Sequence, residues 1–322
     1  MISIKKIKAF IKSTLNKITF YRLDKYLNYR FEKKKFYQRK GYPLNLKQPR
    51  SFSEKVVWKK LYDRNPLIPI TADKYLARFF VKEVLGEDIA DDILVPLLSV
   101  NEDPDEIPFE QLPVSYIIKP NHGSGMYMIV DGIKPDPDKI IDKCKSWLEQ
   151  PYGIENNEWA YRNIKRKILI EKLLKDERGQ IPDDYKFFVF KGKSRFLYVV
   201  KDRLSGDKTK SSVYTPDWKR IQVQYYHDVG PDIKKPPNLD EMIGIAERLG
   251  EPFDFVRVDL YSTGMRIYFG ELTNYPISGR ARIEPLKFDF EFGSYWEIKP
   301  FYWRESIKSY KGFIEKLKKQ SR

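Results

Sequence analysis

Between residues 116 and 130 the chain reads as strand, glycine loop, strand, and this stretch excludes more folds than any other part of it. Tyr116-Ile117-Ile118 is a short apolar run ending at Lys119-Pro120, Asn121-His122-Gly123-Ser124-Gly125 is small and flexible, and Met128-Ile129-Val130 is apolar enough to return. The spacing predicts a hairpin rather than a strand-to-helix turn. That excludes both the phosphate loop, in which Gly-Lys-Ser/Thr opens a helix, and the dinucleotide fingerprint with its third glycine. Two more hairpins are predicted downstream, one pairing 187–190 with 195–200 across Lys191-Gly192-Lys193, the other pairing 255–261 with 267–272 across Thr263-Gly264. Helices are expected from Ser53 as N-cap through Tyr62, over 71–85, over 138–150, and over 239–250 with Gly250 as the stop. Strands arriving as hairpins with helices between them predict an α+β fold in lobes.

A chain of 322 residues has the length of about two domains. Its 41% hydrophobic and 15% aromatic content excludes a disordered chain. The single cysteine, Cys144, excludes a disulfide framework and a cysteine-based zinc site, and His122 and His227 are too few for an all-nitrogen metal cage. A reducing, cytoplasmic location follows as the expectation. No run approaches the 18 or so apolar residues of a membrane span, and Lys5, Lys6 and Lys8 interrupt the first segment as a secretory signal.

The net charge of +15 is an end effect. Residues 1–40 carry 13 Lys/Arg against 2 acids and residues 297–322 carry 8 against 3, leaving 39 bases and 40 acids in the body between them. A specific nucleic-acid binder spreads its basic surface over the folded domain, so none is expected as a partner. The termini instead suit a polyanion: an anionic inner-leaflet membrane surface, an acidic polysaccharide, or RNA bound without sequence specificity. Ile4, Ile7, Ile11, Leu15 and Ile18 recur at helical spacing among lysines. This predicts a basic amphipathic helix that either lies on a membrane, peripherally, or packs on its own domain.

Three clusters bear chemistry. Lys119 at a strand end, beside Gly123, Ser124 and Gly125, suits a polyphosphate, because glycines let backbone N–H groups approach an anion; the same loop also serves as a plain hairpin turn. On the last hairpin, Arg257 and Asp259 share a strand face and Glu271 returns beside them. Two carboxylates and a cation there suit magnesium with a nucleotide, or form a surface salt-bridge cluster. Ile170-Glu171-Lys172-Leu173-Leu174 places an acid at the end of an apolar strand, as a hinge beside a purine and ribose would, and as many ordinary strands do.

Taken in order, Asp73-Lys74, Lys119 with its glycine loop, Glu171-Lys172, Arg257-x-Asp259 and Glu271-x-Thr273 resemble the ATP-grasp superfamily. The phrases FSEKVVWKKLYDRNP, DKYLARFFVKE, IIKPNHGSG, DDYKFFVFKGK and FVRVDLY…GMRIYFGELTNYP are similar to its TupA-like branch, the teichuronopeptide biosynthesis proteins, over roughly residues 43–296. The resemblance implies an ATP-grasp fold, two α+β lobes holding the nucleotide between them. Its expected parts are a basic helical segment (1–42), an N-terminal subdomain (43–115), a flap subdomain (116–175), a C-terminal subdomain with the metal site (176–296) and a basic tail (297–322).

The resemblance further implies ATP and Mg2+ as cofactors. It assigns Lys74 and Lys119 to the phosphates, Gly123, Ser124 and Gly125 to a flap over them, and Glu171, Lys172 and Leu174 to the adenine hinge. Asp259, Glu271 and Thr273 are assigned to magnesium, with Thr273 standing where many ATP-grasp enzymes carry Asn, and Arg257 to the transferring phosphoryl group. Lys186 and Arg203, with Lys201, are expected as phosphate or carboxylate contacts. The implied activity is a carboxylate–amine ligase of cell-surface polysaccharide assembly, joining an amino acid or other amine to a sugar acid or peptide carboxylate. The alternative is a glycosyltransferase using a nucleotide sugar and the Asp-x-Asp sequences Asp103-Pro104-Asp105 and Asp136-Pro137-Asp138, both of which read as turns.

Overall fold

The computed structural model describes residues 23–133, 135–201 and 209–320. The amphipathic segment read over residues 4–18, and Arg203, lie outside them.

Two sheets carry the molecule, antiparallel except where β10 (Asp228–Val229) runs parallel to β7 (Lys210–Tyr214). The smaller takes β1 (Leu97–Asn101), β2 (Ser115–Pro120), β3 (Met128–Asp131) and β4 (Ile168–Lys172), in the order β1-β4-β2-β3. The helix Pro137–Glu149 packs on it through Ile140, Cys144 and Trp147, against Tyr116, Ile118, Val130, Ile168 and Ile170. In β2 the burial alternates residue by residue, so Tyr116, Ile118 and Pro120 go to this core while Ile117 and Lys119 face the other way.

The larger sheet has seven strands. Its central members are β5 (Asp183–Phe190), β6 (Lys193–Lys201), β7 (Lys210–Tyr214), β11 (Phe255–Ser262) and β12 (Ile267–Thr273). The path runs β10-β7-β6-β5-β11-β12, with β8 (Arg220–Ile221) and β10 (Asp228–Val229) short strands beside β7, while β9 (Gln224–Tyr225) pairs separately with β13 (Ile283–Glu284). The helix Leu239–Gly250 packs on one face so closely that a Cβ at Gly250 would lie 2.4 Å from Val189 Cγ1. On the other face Phe188, Phe190, Phe196 and Phe255 surround Phe52, the first residue of the helix Phe52–Tyr62. Further along that same face the phenylalanines give way to charge.

Two helix boundaries differ from the sequence reading. The first helix is capped by Ser51, not Ser53: Ser51 Oγ accepts from Glu54 N–H at 3.1 Å and Glu54 Oε2 accepts from Ser51 N–H at 3.0 Å, a reciprocal box that Ser53 has no glutamate to complete. The helix expected over 71–85 is broken into Leu67–Ala72 and Leu76–Leu85. Asp73 turns extended and its carboxylate takes the N–H groups of Tyr75 at 2.8 Å and Leu76 at 3.3 Å, competing with the helical carbonyls. The break leaves Lys74 off the helix.

Candidate active site

Lys74 enters the site through that break. Its N–H donates to the Asn121 carbonyl at 2.9 Å and its ammonium to the Gly123 carbonyl, tying the interrupted helix to the glycine loop between β2 and β3. Gly123 is left-handed at φ 88°, and a Cβ there would meet Met126 Cε at 2.5 Å and Tyr152 Cδ2 at 2.7 Å, so only glycine fits. Burial holds the Lys74 ammonium below the usual lysine range, with Lys119 pushing the same way and Glu271 opposing.

A cavity of about 120 Å³ lies between the two sheets, lined by Lys74, Lys119, Gly123, Ser124, Gly125, Glu171, Lys172, Leu174 and Glu271. Lys119 and Glu271, 152 residues apart in sequence, therefore face one cleft. Lys119 Nζ sits 2.6 Å from Glu171 Oε2, and Arg78 is 3.7 Å from the other oxygen of that buried carboxylate.

A second cavity, of about 860 Å³, shares Lys74, Gly123, Ser124 and Glu271 with the first and adds Lys186, Arg257 and Thr273. Its floor is the charged end of the large sheet. Register pairs Asp259 with Lys186 on one side and with Glu271 on the other, and pairs Lys186 with Tyr198. A one-residue bulge at Gly270 breaks the alternation of β12 just before the site, so that Leu272 is buried while Glu271 and Thr273 reach the cavity. Arg257 donates to Asp259 through Nε at 2.6 Å and Nη2 at 2.7 Å, to Glu271 at 3.1 Å and to Thr273 Oγ1 at 2.9 Å. This company of acids raises the Arg257 guanidinium above its usual range despite burial.

The structure brings the described residues of the expected site to these two cavities, with the exceptions of Asp259 and Lys201. Asp259 is 1% exposed and lines neither, because Arg257 and Lys186 cover it, with Lys186 Nζ 2.6 Å from Oδ2. Lys201 lines neither cavity as well: it stands at odd spacing from Tyr198 and Val200, which do. Asp184 and His227 also line the larger cavity and were missed. Asp184 was findable, since two residues before Lys186 on a strand means the same face; its carboxylate holds Lys186 at 2.5 Å.

Asp103 caps the short turn Pro104–Glu106, whereas Asp136, expected in a turn, is the N-cap of the helix Pro137–Glu149. Asp103 accepts from the Asp105 N–H at 3.0 Å and Asp136 from the Asp138 N–H at 3.1 Å, at exposed positions away from both cavities.

As a test for magnesium, the donors are all oxygens, as a hard cation requires, with Glu271 and Thr273 at the cavity wall and Asp259 opposite Glu271 in register. Asp259 would join them only by giving up a guanidinium or ammonium partner, and on that condition the donor set fits the ion. Among the described residues no cluster of three or more His, Cys, Asp and Glu is close enough to hold a metal. No described helix is long and apolar enough to cross a membrane.

The model of the TupA-like ATP-grasp family matches residues 54–297. The chain belongs to that family. Curated proteins offer no match to this TupA-like chain. Among solved structures it is similar to the ATP-grasp ligase PsnB complexed with a phosphomimetic variant of its minimal precursor, Mg and ADP, at 14% identity and a TM-score of 0.37 over 71% of this chain and 58% of that one. D-alanine–D-alanine ligase from Bacillus anthracis complexed with ATP matches at 15% identity and a TM-score of 0.38, over 64% and 54% of the two chains. N5-carboxyaminoimidazole ribonucleotide synthetase from Thermus thermophilus matches at 10% and 0.39, over 66% and 48%. The TupA-like chain thus spans about half the length of these structures.

Proposed function

We propose that this protein is an ATP- and magnesium-dependent carboxylate–amine ligase that joins an amino acid or other amine to a sugar-acid or peptide carboxylate in cell-surface polysaccharide assembly. The carrying observation is the shared wall of the two cavities: Lys74, Gly123, Ser124 and Glu271 line both a small one walled by Lys119 and the glycine loop and a large one floored by Lys186 and Arg257.

ATP lies between the flap lobe (116–175) and the C-terminal lobe (176–296), its base against Glu171, Lys172 and Leu174 and its phosphates between Lys74 and Lys119. Asp259, Glu271 and Thr273 would hold magnesium, which would supply charge neutralisation to the nucleotide phosphates. The acceptor carboxylate attacks the γ phosphorus, ADP leaves, and an acyl phosphate remains in the larger cavity. The amine then attacks its carbonyl carbon and phosphate departs. Arg257 and Lys186 need no proton chemistry for this; they hold anionic oxygens in place through both steps. Closure of the loop at Gly123–Gly125 keeps water from the acyl phosphate. The basic N-terminal segment places the enzyme peripherally on the inner face of the membrane, where surface polymers are assembled.

The reading is tested by incubating the protein with ATP, Mg2+, D-glucuronate or L-glutamate, and an amine. ADP and amide formation support it; UDP release from a sugar nucleotide without ADP formation overturns it.

A further inference from the structure

Amide formation from an ammonium ion requires a proton acceptor, and the large cavity holds few that are not already committed. Asp184 is held by Lys186 at 2.5 Å, Glu271 by Arg257 at 3.1 Å and Glu284 by Arg282 at 2.8 Å. Glu158 accepts from Ser278 beside Lys60. His227 is different. It lines the same cavity, half-buried, and its ring makes no hydrogen bond or ion pair among the described residues.

Its setting is built rather than incidental. Tyr226 is left-handed at φ 63° and its N–H is fixed to the Arg282 carbonyl at 2.8 Å, while the His227 N–H donates to the Tyr225 carbonyl at 2.8 Å. This turn sets the imidazole parallel to the Tyr198 ring at 6.3 Å and against Tyr226 at 4.6 Å. Tyr198 is the register partner of Lys186, so the imidazole stands beside the floor of the cavity. The charged groups around it are Lys186 from β5, Asp228 next in sequence, and Arg282 and Glu284 from the adjoining segment. Burial and Lys186 lower its proton affinity, with Asp228 opposing, so the ring is neutral at pH 7 and open to a proton.

We propose that His227 is the general base of the amine half-reaction, which rests on the ligase reading given above. One proton passes from the incoming R–NH3+ to the free ring nitrogen, and the amine lone pair then forms the C–N bond. The C–O bond to phosphorus breaks with its electron pair. The second nitrogen proton leaves with phosphate as HPO4(2−), and His227 returns its proton to solvent.

The test compares amines that need a base with one that does not. Full-length protein and His227→Gln are assayed with ATP, Mg2+ and D-glucuronate or L-glutamate, using hydroxylamine, already neutral near pH 7, or glycine and L-glutamate as amines. The expected result is hydroxamate formation within twofold of wild type in the variant, with amide formation lowered about 10²–10⁴-fold. The wild-type amide rate reaches a plateau above the His227 titration, whereas the variant keeps rising with pH toward the titration of the amine itself. Equal loss of hydroxamate and amide, or an unchanged amide pH profile, overturns the base role and leaves the ligase reading standing. A wild type that forms neither ADP nor hydroxamate, or hydroxamate but no amide, overturns the ligase reading and this role with it.

Discussion

Lys119 Nζ lies 2.6 Å from Glu171 Oε2, so the lysine assigned to phosphate and the acid assigned to the adenine hinge hold each other across β2 and β4. The two strands are register neighbours, with Ile117 opposite Glu171 and Lys119 opposite Leu169, which sets both polar side chains on the cavity side of the small sheet. A nucleotide entering there finds a cation already aimed by a buried carboxylate.

Lys119→Ala removes that cation. A charge-assisted hydrogen bond is worth about 1.5–3 kcal/mol, so the ATP KM should rise about ten- to a hundredfold. Steady-state ADP release against ATP concentration measures it, and an unchanged KM removes Lys119 from the phosphate site.

Gly123→Ala acts through the backbone. At φ 88°, with Met126 and Tyr152 inside contact distance of a Cβ, the substitution strains the loop whichever way its neighbours yield. Turnover should fall at least tenfold, while the melting temperature of the whole protein moves by only a few degrees, since the loop lies outside both sheets. Activity and thermal denaturation on one preparation separate the two effects; full turnover would show that the loop has no closing role.

Deletion of residues 1–22 should abolish sedimentation with vesicles rich in anionic lipid at low salt, and 0.5 M NaCl should release the intact protein, because the attraction is electrostatic. Co-sedimentation of the truncated chain at wild-type levels places the membrane contact elsewhere or nowhere.

Much of this architecture was legible. The helix Leu239–Gly250 has the bounds its pattern implies, and the hairpins around Lys191-Gly192 and Thr263-Gly264 form where turn residues separate apolar runs. β1 and β7 were missed: in Leu97–Asn101 the alternation covers only four residues, and Lys210–Tyr214 opens on a lysine and two serines. Their pairing comes from tertiary neighbours, which a local pattern does not contain. In the site, strand periodicity placed Arg257 and Asp259 together and the turn brought Glu271 to them. What it did not carry was depth. Asp259 lies beneath Arg257 and Lys186 because β5 pairs with β11, a contact between segments 73 residues apart. His227 stands in an irregular stretch between two-residue strands, where no periodicity exists to read.

Stability should depend on pH through His122. The ring is 1% exposed, its Nδ1 is buried without a hydrogen-bond partner, and burial together with Arg166 and Lys74 lowers its proton affinity from the ordinary 6.5 to about 4. Between those values the unfolded chain binds a proton that the folded chain refuses. Stability contributed by this group is therefore present above about 6.5 and is lost as pH falls toward about 4. Urea denaturation across this range should show that decline in the wild type and a shallower one in His122→Asn. Parallel curves would mean that the ring takes its proton in the fold as readily as in water.

Asp259→Asn and Glu271→Gln separate support from metal binding. The Asp259 carboxylate is 1% exposed and answers two cations, Arg257 at 2.6 and 2.7 Å and Lys186 at 2.6 Å. Removing its charge leaves those cations buried with too few partners, which costs about 3–5 kcal/mol. The substitution should therefore lower the urea midpoint as well as turnover, contrary to the intact fold that a simple metal ligand implies. The Glu271 side chain is 31% exposed, and glutamine keeps an oxygen to accept from Arg257 and Thr273, so losing the charge should cost under about 1 kcal/mol. Glu271→Gln should keep the wild-type midpoint while raising the Mg2+ concentration needed for half-maximal ADP release at least tenfold. An unchanged Mg2+ requirement in that variant removes Glu271 from the metal site; an unchanged urea midpoint in Asp259→Asn means that Arg257 and Lys186 are carried by their remaining partners.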